Sequence, residues 1–228
     1  MKVRTLALLL LAGCGGHNGD SKTDSVTVET TVPYLNFTVG AVYKHDTTSF
    51  TEGFLFHDHQ LFESSGAPEE YPQTRSLAGI ANMSTGRIDK KVELNKGRYF
   101  GEGIAFFNNK LYQLTYQNHT GFIYDATTWQ RLDSFRFQNA EGWALTTDSN
   151  SLIMSDGTST LTWLDPVSLK PVKTLFVTEN GAALDSLNEL EYIKGYIYAN
   201  RYLYDRENDK IYVTGKLWTG IYQLNFPH

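Results

Sequence analysis

A turn-and-strand signal recurs along the 228-residue chain, and this recurrence limits the available folds more than any other feature. The strand-like segments are Leu61-Phe62, Leu111-Tyr112-Gln113-Leu114, Leu152-Ile153-Met154, Ile197-Tyr198-Ala199 and Ile211-Tyr212-Val213. Most follow a turn of Asn, Asp, Gly or Ser: His57-Asp58-His59, Asn108-Asn109, Asp148-Ser149-Asn150, Lys194-Gly195 and Asn208-Asp209. Such residues tolerate the backbone a tight hairpin requires, so each turn predicts two antiparallel strands around it. An acidic residue sits upstream of the first four signals, in Glu52-Gly53, Glu102-Gly103, Glu141-Gly142 and Glu189-Leu190. Further strands are expected over 121–125 and 161–165, with a fourth strand over 129–137 and 172–177. Four strands in about 40 to 50 residues is the size of a propeller blade. Neither a solenoid nor a sandwich explains the same pair recurring at that interval.

The interval breaks once. From Leu61 the steps to Leu111, Leu152 and Ile197 are 50, 41 and 45 residues, but Ile197 to Ile211 is only 14. Against a blade of about 45 residues, roughly thirty or more are missing, with the join near 200–204.

Composition agrees with an all-β reading. The chain holds 14 Tyr, 13 Phe, 4 Trp and 19 Gly against 6 Pro, which favours strands and tight turns over a helical bundle. A net charge of −5 lacks the basic face a nucleic-acid binder needs. One cysteine, Cys14, allows no internal disulfide and no thiolate metal cluster. It closes the run Leu11-Ala12-Gly13-Cys14, behind two cations and a short apolar stretch. This reads as a bacterial lipoprotein signal, 1–13, with Cys14 lipidated. A Gly/Ser/Thr/Asp-rich tether, 14–31, and a folded domain, 32–228, would follow. The chain would then be anchored on the periplasmic side of the envelope, at the outer membrane given Gly15 after the cysteine.

In a propeller the first strands line the axis, so Glu52, Glu102, Glu141 and Glu189 would converge at one mouth. Converging acids suit a cationic ligand such as a protonated amine, although any one acid alone more often caps a strand. Phe50, Phe100 and Trp143 beside them would wall the pocket.

Seven motifs in series resemble the plant-and-bacterial type of glutaminyl-peptide cyclotransferase. They are Phe50-Thr51-Glu52-Gly53, Leu61-Phe62-Glu63-Ser64-Ser65-Gly66, Tyr99-Phe100-Gly101-Glu102-Gly103-Ile104, Glu141-Gly142-Trp143-Ala144-Leu145-Thr146, Ser155-Asp156-Gly157-Thr158, Leu187-Asn188-Glu189-Leu190-Glu191-Tyr192 and Val213-Thr214-Gly215-Lys216-Leu217-Trp218. The resemblance implies a five-bladed β-propeller, here with one blade truncated. It implies an enzyme that cyclises the N-terminal glutamine of peptides to pyroglutamate and releases ammonia, with no cofactor and no required metal. By the same resemblance Glu102 is the catalytic acid/base, with Asn188 and Lys216 as polar partners. Phe50, Glu52, Phe100, Trp143 and Tyr202 line the substrate pocket. Two residues depart from the usual pattern: Glu52 stands where many members have Gln, and Tyr202 where Trp is usual. The expected partners are peptides with N-terminal glutamine, and the chain is expected to be a monomer.

Two rival readings use the same residues. One is a catalytically impaired, lipid-tethered propeller serving as a binding module, favoured by the missing segment. The other is a metal-dependent lactonase-like propeller, with Glu52, Glu102, Glu141 and Asn188 as ligands. No Gly-x-Ser-x-Gly elbow or phosphate loop supports a hydrolase or nucleotide enzyme.

Overall fold

The computed structural model describes residues 34–199, 203–205, 208 and 210–226, together with Leu6–Ala7, which pair with Tyr34–Leu35. The described part of the chain is all-β. Cys14, the expected tether and Tyr202 lie outside the described residues, as does most of the expected leader.

The hairpin expectation holds in detail. Asp58 and His59 both have positive φ (46° and 61°), as do Asn108 and Asn109 (47° and 55°) and the Lys194-Gly195 pair (50° and 92°). Two consecutive residues with positive φ make the turn whose twist matches antiparallel strands. Phe50–His57 folds back through the first of these turns onto Gln60–Gly66, Gly101–Phe107 through the second onto Lys110–Thr115, and Glu191–Ile193 through the third onto Tyr196–Tyr198.

Three sheets are four-stranded meanders in chain order. The first runs Phe50–His57, Gln60–Gly66, Leu77–Ala81, Ile88–Glu93. The second runs Gly101–Phe107, Lys110–Thr115, Thr120–Asp125, Arg131–Arg136, and the third runs Leu145–Thr147, Leu152–Met154, Thr160–Leu164, Pro171–Phe176. A fourth sheet is assembled from both ends of the domain. Leu203–Asp205, Lys210–Val213 and Gly220–Asn225 take Thr38–Lys44 as their outer strand, with Ile221 opposite Tyr43. Between the third and fourth sheets, Glu191–Ile193 and Tyr196–Tyr198 form a sheet of only two strands. The leading strands of these five sheets contact one another in order, and Leu203–Asp205 contacts Phe50–His57; two further two-stranded sheets pair Leu6–Ala7 with Tyr34–Leu35 and Thr178–Glu179 with Ala182–Ala183.

The core lies in seams between neighbouring sheets. Phe62, Ala78 and Val92 of the first sheet pack on Ile104, Leu111 and Phe122 of the second. Tyr112, Leu114 and Ile123 of the second meet Leu145, Leu152 and Met154 of the third. Ile153, Leu161 and Trp163 meet Leu187, Leu190 and Ile197, while Tyr212 and Ile221 meet Phe54 and Leu61. Leu111 faces one seam and Tyr112 the next, as the period of two in a strand requires. Each such burial is worth about 1.5–3 kcal/mol.

The four acids do not occupy equivalent places. Glu52 and Glu102 lie in leading strands and are buried. Glu141 precedes its strand, Leu145–Thr147, and Glu189 sits outside a strand with φ 48°. The sequence motif repeats, but the third sheet starts its ladder later.

Candidate active site

Glu52 and Glu102 both sit on β-bulges. The pairing of Phe50–His57 with Gln60–Gly66 slips between Thr51 and Gly53, at Glu52. The pairing of Gly101–Phe107 with Lys110–Thr115 slips between Gly101 and Ile104, at Glu102-Gly103. A bulge leaves a residue unpaired and re-aims its side chain. The backbone groups freed at Glu102 find other partners: Gly101 N–H donates to Ser76 Oγ (2.7 Å), Ser64 Oγ–H donates to the Glu102 carbonyl (2.7 Å), and Gly103 N–H donates to the Trp143 carbonyl (2.8 Å). Gln113, fully buried, donates in turn to Ser64 Oγ at 3.1 Å.

The glycine after each acid permits close approach at the axis. A Cβ on Gly103 would stand 2.5 Å from Leu145 N and 2.6 Å from the Trp143 carbonyl. Gly66 makes similar room, since a Cβ there would meet the Phe100 ring at 2.1 Å.

Lys216 arrives on the loop after Lys210–Val213. Its Nζ lies 2.7 Å from Glu52 Oε1 and 4.6 Å from the Phe50 ring centroid, so the ammonium is held by a charge and an aromatic face. Asn188 lines a small cavity of about 50 Å³ with Glu52, Lys216, Thr51 and Glu189, and its Oδ1 accepts from Glu189 N–H at 2.9 Å. The proton affinity of Glu102 is raised well above the ordinary carboxylate range. Burial is the main cause, the negative charge of Glu52 adds to it, Lys216 opposes it, and Glu189 and Glu141 push it further up.

Aromatic walls surround this group. Phe50 meets Phe100 edge-on at 6.0 Å and Tyr71 at 5.9 Å, and Phe100 meets Tyr116 at 5.9 Å. Glu141 is a tie for these walls: its carboxylate accepts from Trp143 Nε1 (2.7 Å), from Gln117 Nε2 (3.2 Å) and from the Tyr116 hydroxyl. Burial pushes the Tyr116 hydroxyl up, and Glu141 and the nearby Glu102 add to the shift. Phe50, Glu52, Phe100, Glu102, Asn188 and Lys216 are therefore one neighbourhood, and Trp143 joins it through Glu141. Tyr71 and Tyr116 belong to the same wall and were not singled out from the sequence. No local pattern marks them, although an aromatic directly after a core strand, as Tyr116 is, could have drawn attention.

The profile of the glutamine cyclotransferase family matches residues 7–206. The chain belongs to this family. It is 29% identical over 229 residues to a glutaminyl-peptide cyclotransferase of Arabidopsis thaliana, covering 82% of this chain and 70% of that protein. Its fold matches that of the glutaminyl cyclase of Myxococcus xanthus with a TM-score of 0.73 at 24% identity, over 83% of this chain and 96% of the other. The cyclotransferase resemblance first read from seven motifs is thus borne out by whole-chain comparison. In the Ser155-Asp156-Gly157-Thr158 motif, Asp156 Oδ1 accepts from Thr158 N–H and Oγ–H, and Ser155 Oγ accepts from Ala144 N–H. Among the described residues, no group of three or more His, Cys, Asp or Glu is placed to hold a metal ion.

Proposed function

We propose that the chain is a glutaminyl-peptide cyclotransferase, converting the N-terminal glutamine of peptides to pyroglutamate with release of ammonia. One observation carries the reading: Glu102, buried on its bulge, shares one neighbourhood with Lys216, anchored on Glu52, and with an aromatic wall, and its proton affinity is raised there. A carboxyl whose proton affinity is raised both takes and returns a proton more readily than an exposed one, as acid/base work requires.

The substrate's α-ammonium gives up a proton to solvent, and the free amine attacks the side-chain carboxamide carbon, forming the ring C–N bond. Glu102 takes the proton the nitrogen loses on bonding and returns it to the departing amide nitrogen, so that ammonia leaves as the old C–N bond breaks. Lys216 and Asn188 face the carboxamide oxygen and stabilise the charge that develops there. Phe50 and Phe100, with Trp143, Tyr116 and Tyr202, fold the side chain back onto the amine, and that proximity supplies much of the acceleration. Glu52 holds Lys216 and draws the substrate ammonium. No cofactor enters any step.

The scaffold is, in our reading, a five-bladed propeller with its fourth blade cut to two strands. Two facts support this: four of the five leading strands that contact one another in order belong to four-stranded sheets, and the remaining one, Glu191–Ile193, pairs only with Tyr196–Tyr198. The alignment to the Arabidopsis protein also runs to 229 positions while using 82% of a 228-residue chain, so it contains positions with no counterpart here. A monomer lipidated at Cys14 and facing the periplasm from the outer membrane completes the proposal. Incubation with a short Gln-initiated peptide tests the activity: one ammonia is released per peptide cyclised, and a peptide starting with Ala releases none. Radiolabelled palmitate incorporation, lost in Cys14→Ser, tests the anchor.

A further inference from the structure

Glu63 is fully buried on Gln60–Gly66, and its carboxylate faces three donors. Thr51 Oγ–H donates to Oε1 at 2.7 Å, Ser49 Oγ–H donates to the same oxygen, and His45 Nε2 lies 3.0 and 3.1 Å from the two oxygens. The opposite ring nitrogen of His45, Nδ1, lies 2.9 Å from the Trp218 carbonyl. A carbonyl only accepts, so Nδ1 carries a proton. Nε2 faces a carboxylate already receiving hydroxyl protons, so it carries one too. These contacts favour the protonated ring of His45, enclosed against Glu63 with its side chain 1% exposed.

The partners of this pair lie on both sides of the Glu52–Lys216 contact. Thr51 immediately precedes Glu52 on the bulge. The segment after Lys216 is tied to the segment around His45 by three bonds: His45 Nδ1–H to the Trp218 carbonyl, His45 N–H to the Thr219 carbonyl (3.3 Å), and Leu217 N–H to the Ser49 carbonyl (2.9 Å). Leu217, whose N–H makes one of these bonds, has φ 60°, a left-handed conformation that a residue with a Cβ rarely adopts.

We propose that His45 and Glu63 are positioning residues for the reaction: a buried pair that sets where Lys216 stands relative to Glu52 and so to Glu102. The inference rests on the site proposed above. Neither residue touches the substrate. Burial alone would lower the affinity of His45 for its proton, but the hydrogen bond and charge of Glu63 outweigh it, with the Trp218 carbonyl and Asp46 adding to the rise. The groups acting on Glu102 are Glu52, Lys216, Glu189 and Glu141, and of these only Lys216 favours its ionised form.

The test is the pH profile of kcat/KM for Glu63→Gln, beside Lys216→Ala and Glu102→Gln, with thermal melting to confirm folding. A misplacement of about 1 Å can cost on the order of a hundredfold in rate, so Glu63→Gln is expected to lose about 10- to 100-fold. Its acidic limb should move to higher pH, in the direction Lys216→Ala moves it, because Glu102 loses the nearby cation. Should Glu63→Gln not fold, Ser49→Ala removes one donor to Glu63 at little change in volume, and a smaller shift of the same sign is expected. A limb that stays in place, with activity lost only in proportion to unfolded protein, would reduce the pair to a structural one and overturn the inference. Full activity in Glu102→Gln would overturn both the site and this inference, whereas loss of activity there with no shift in Glu63→Gln overturns the inference alone.

Discussion

Lys216 Nζ stands 2.7 Å from Glu52 Oε1, and the same ammonium lies 4.6 Å from the centre of the Phe50 ring. Two residues over 160 positions apart in sequence thus share one charge contact, formed where the end of the chain closes against the first sheet. This contact is an ion pair between a buried carboxylate and a half-exposed ammonium. A second negative charge also acts on Glu102 and raises it.

Glu52→Gln is therefore expected to shift the acidic limb of kcat/KM to lower pH, because Glu102 would ionise more readily without a neighbouring charge. The rate at neutral pH should change by less than tenfold, since Lys216 keeps the Phe50 face. A pH series from 4 to 9 with a Gln-initiated peptide reads the shift, and a limb that moves upward contradicts the assignment.

Ser64→Ala removes the hydroxyl that satisfies the Glu102 carbonyl on its bulge. A buried acceptor left without a partner costs about 1–3 kcal/mol. Urea denaturation should show that loss, and kcat should fall with it, because the bulge that aims Glu102 is no longer held. Stability unchanged from the parent would mean that the bulge is held by other contacts.

Gly103→Ala would place a methyl 2.5 Å from Leu145 N, between backbones that cannot both yield. Overpacking of this kind costs about 1–3 kcal/mol. A clear drop in melting temperature is expected, larger than for Gly97→Ala, where a Cβ would meet only Asn95 Oδ1 at 3.4 Å. Equal melting temperatures would contradict the close packing at the axis.

His45 has a folded-state proton affinity raised above its ordinary value of 6.5. The folded chain therefore binds a proton more tightly than the unfolded one. The resulting stability is fully present below pH 6.5 and is lost as pH rises through the higher folded value. Chemical denaturation between pH 6 and 9 should show stability falling with pH, and the slope should flatten in His45→Gln.

The hairpins were legible because their turns are chemical: Asn108-Asn109 and Asp58-His59 adopt positive φ, which few other residue types accept cheaply. Glu102 and Glu52 stood out because a glutamate followed by glycine repeats inside apolar strands, and glycine within a strand often marks a bulge. The pairing of Thr38–Lys44 with Gly220–Asn225 was not foreseen, since nothing local couples segments at opposite ends of a chain. Tyr71 and Tyr116 join the wall through tertiary contact alone. The His45–Glu63 pair was hidden for the same reason: polar residues 18 apart look solvated until folding encloses both. The equivalence expected of all four acids failed at Glu141, where Trp143, Gln117 and Tyr116 claim the carboxylate.

The central claim is that Glu102 moves the protons of cyclisation. The most direct measurement is ammonia release from a Gln-initiated peptide by the parent chain and by Glu102→Gln, with matched melting curves. The expected result is steady turnover in the parent and a loss of at least a thousandfold in the variant at unchanged stability. Turnover retained in a folded Glu102→Gln protein would contradict the account and return the base to another of the acids at the axis.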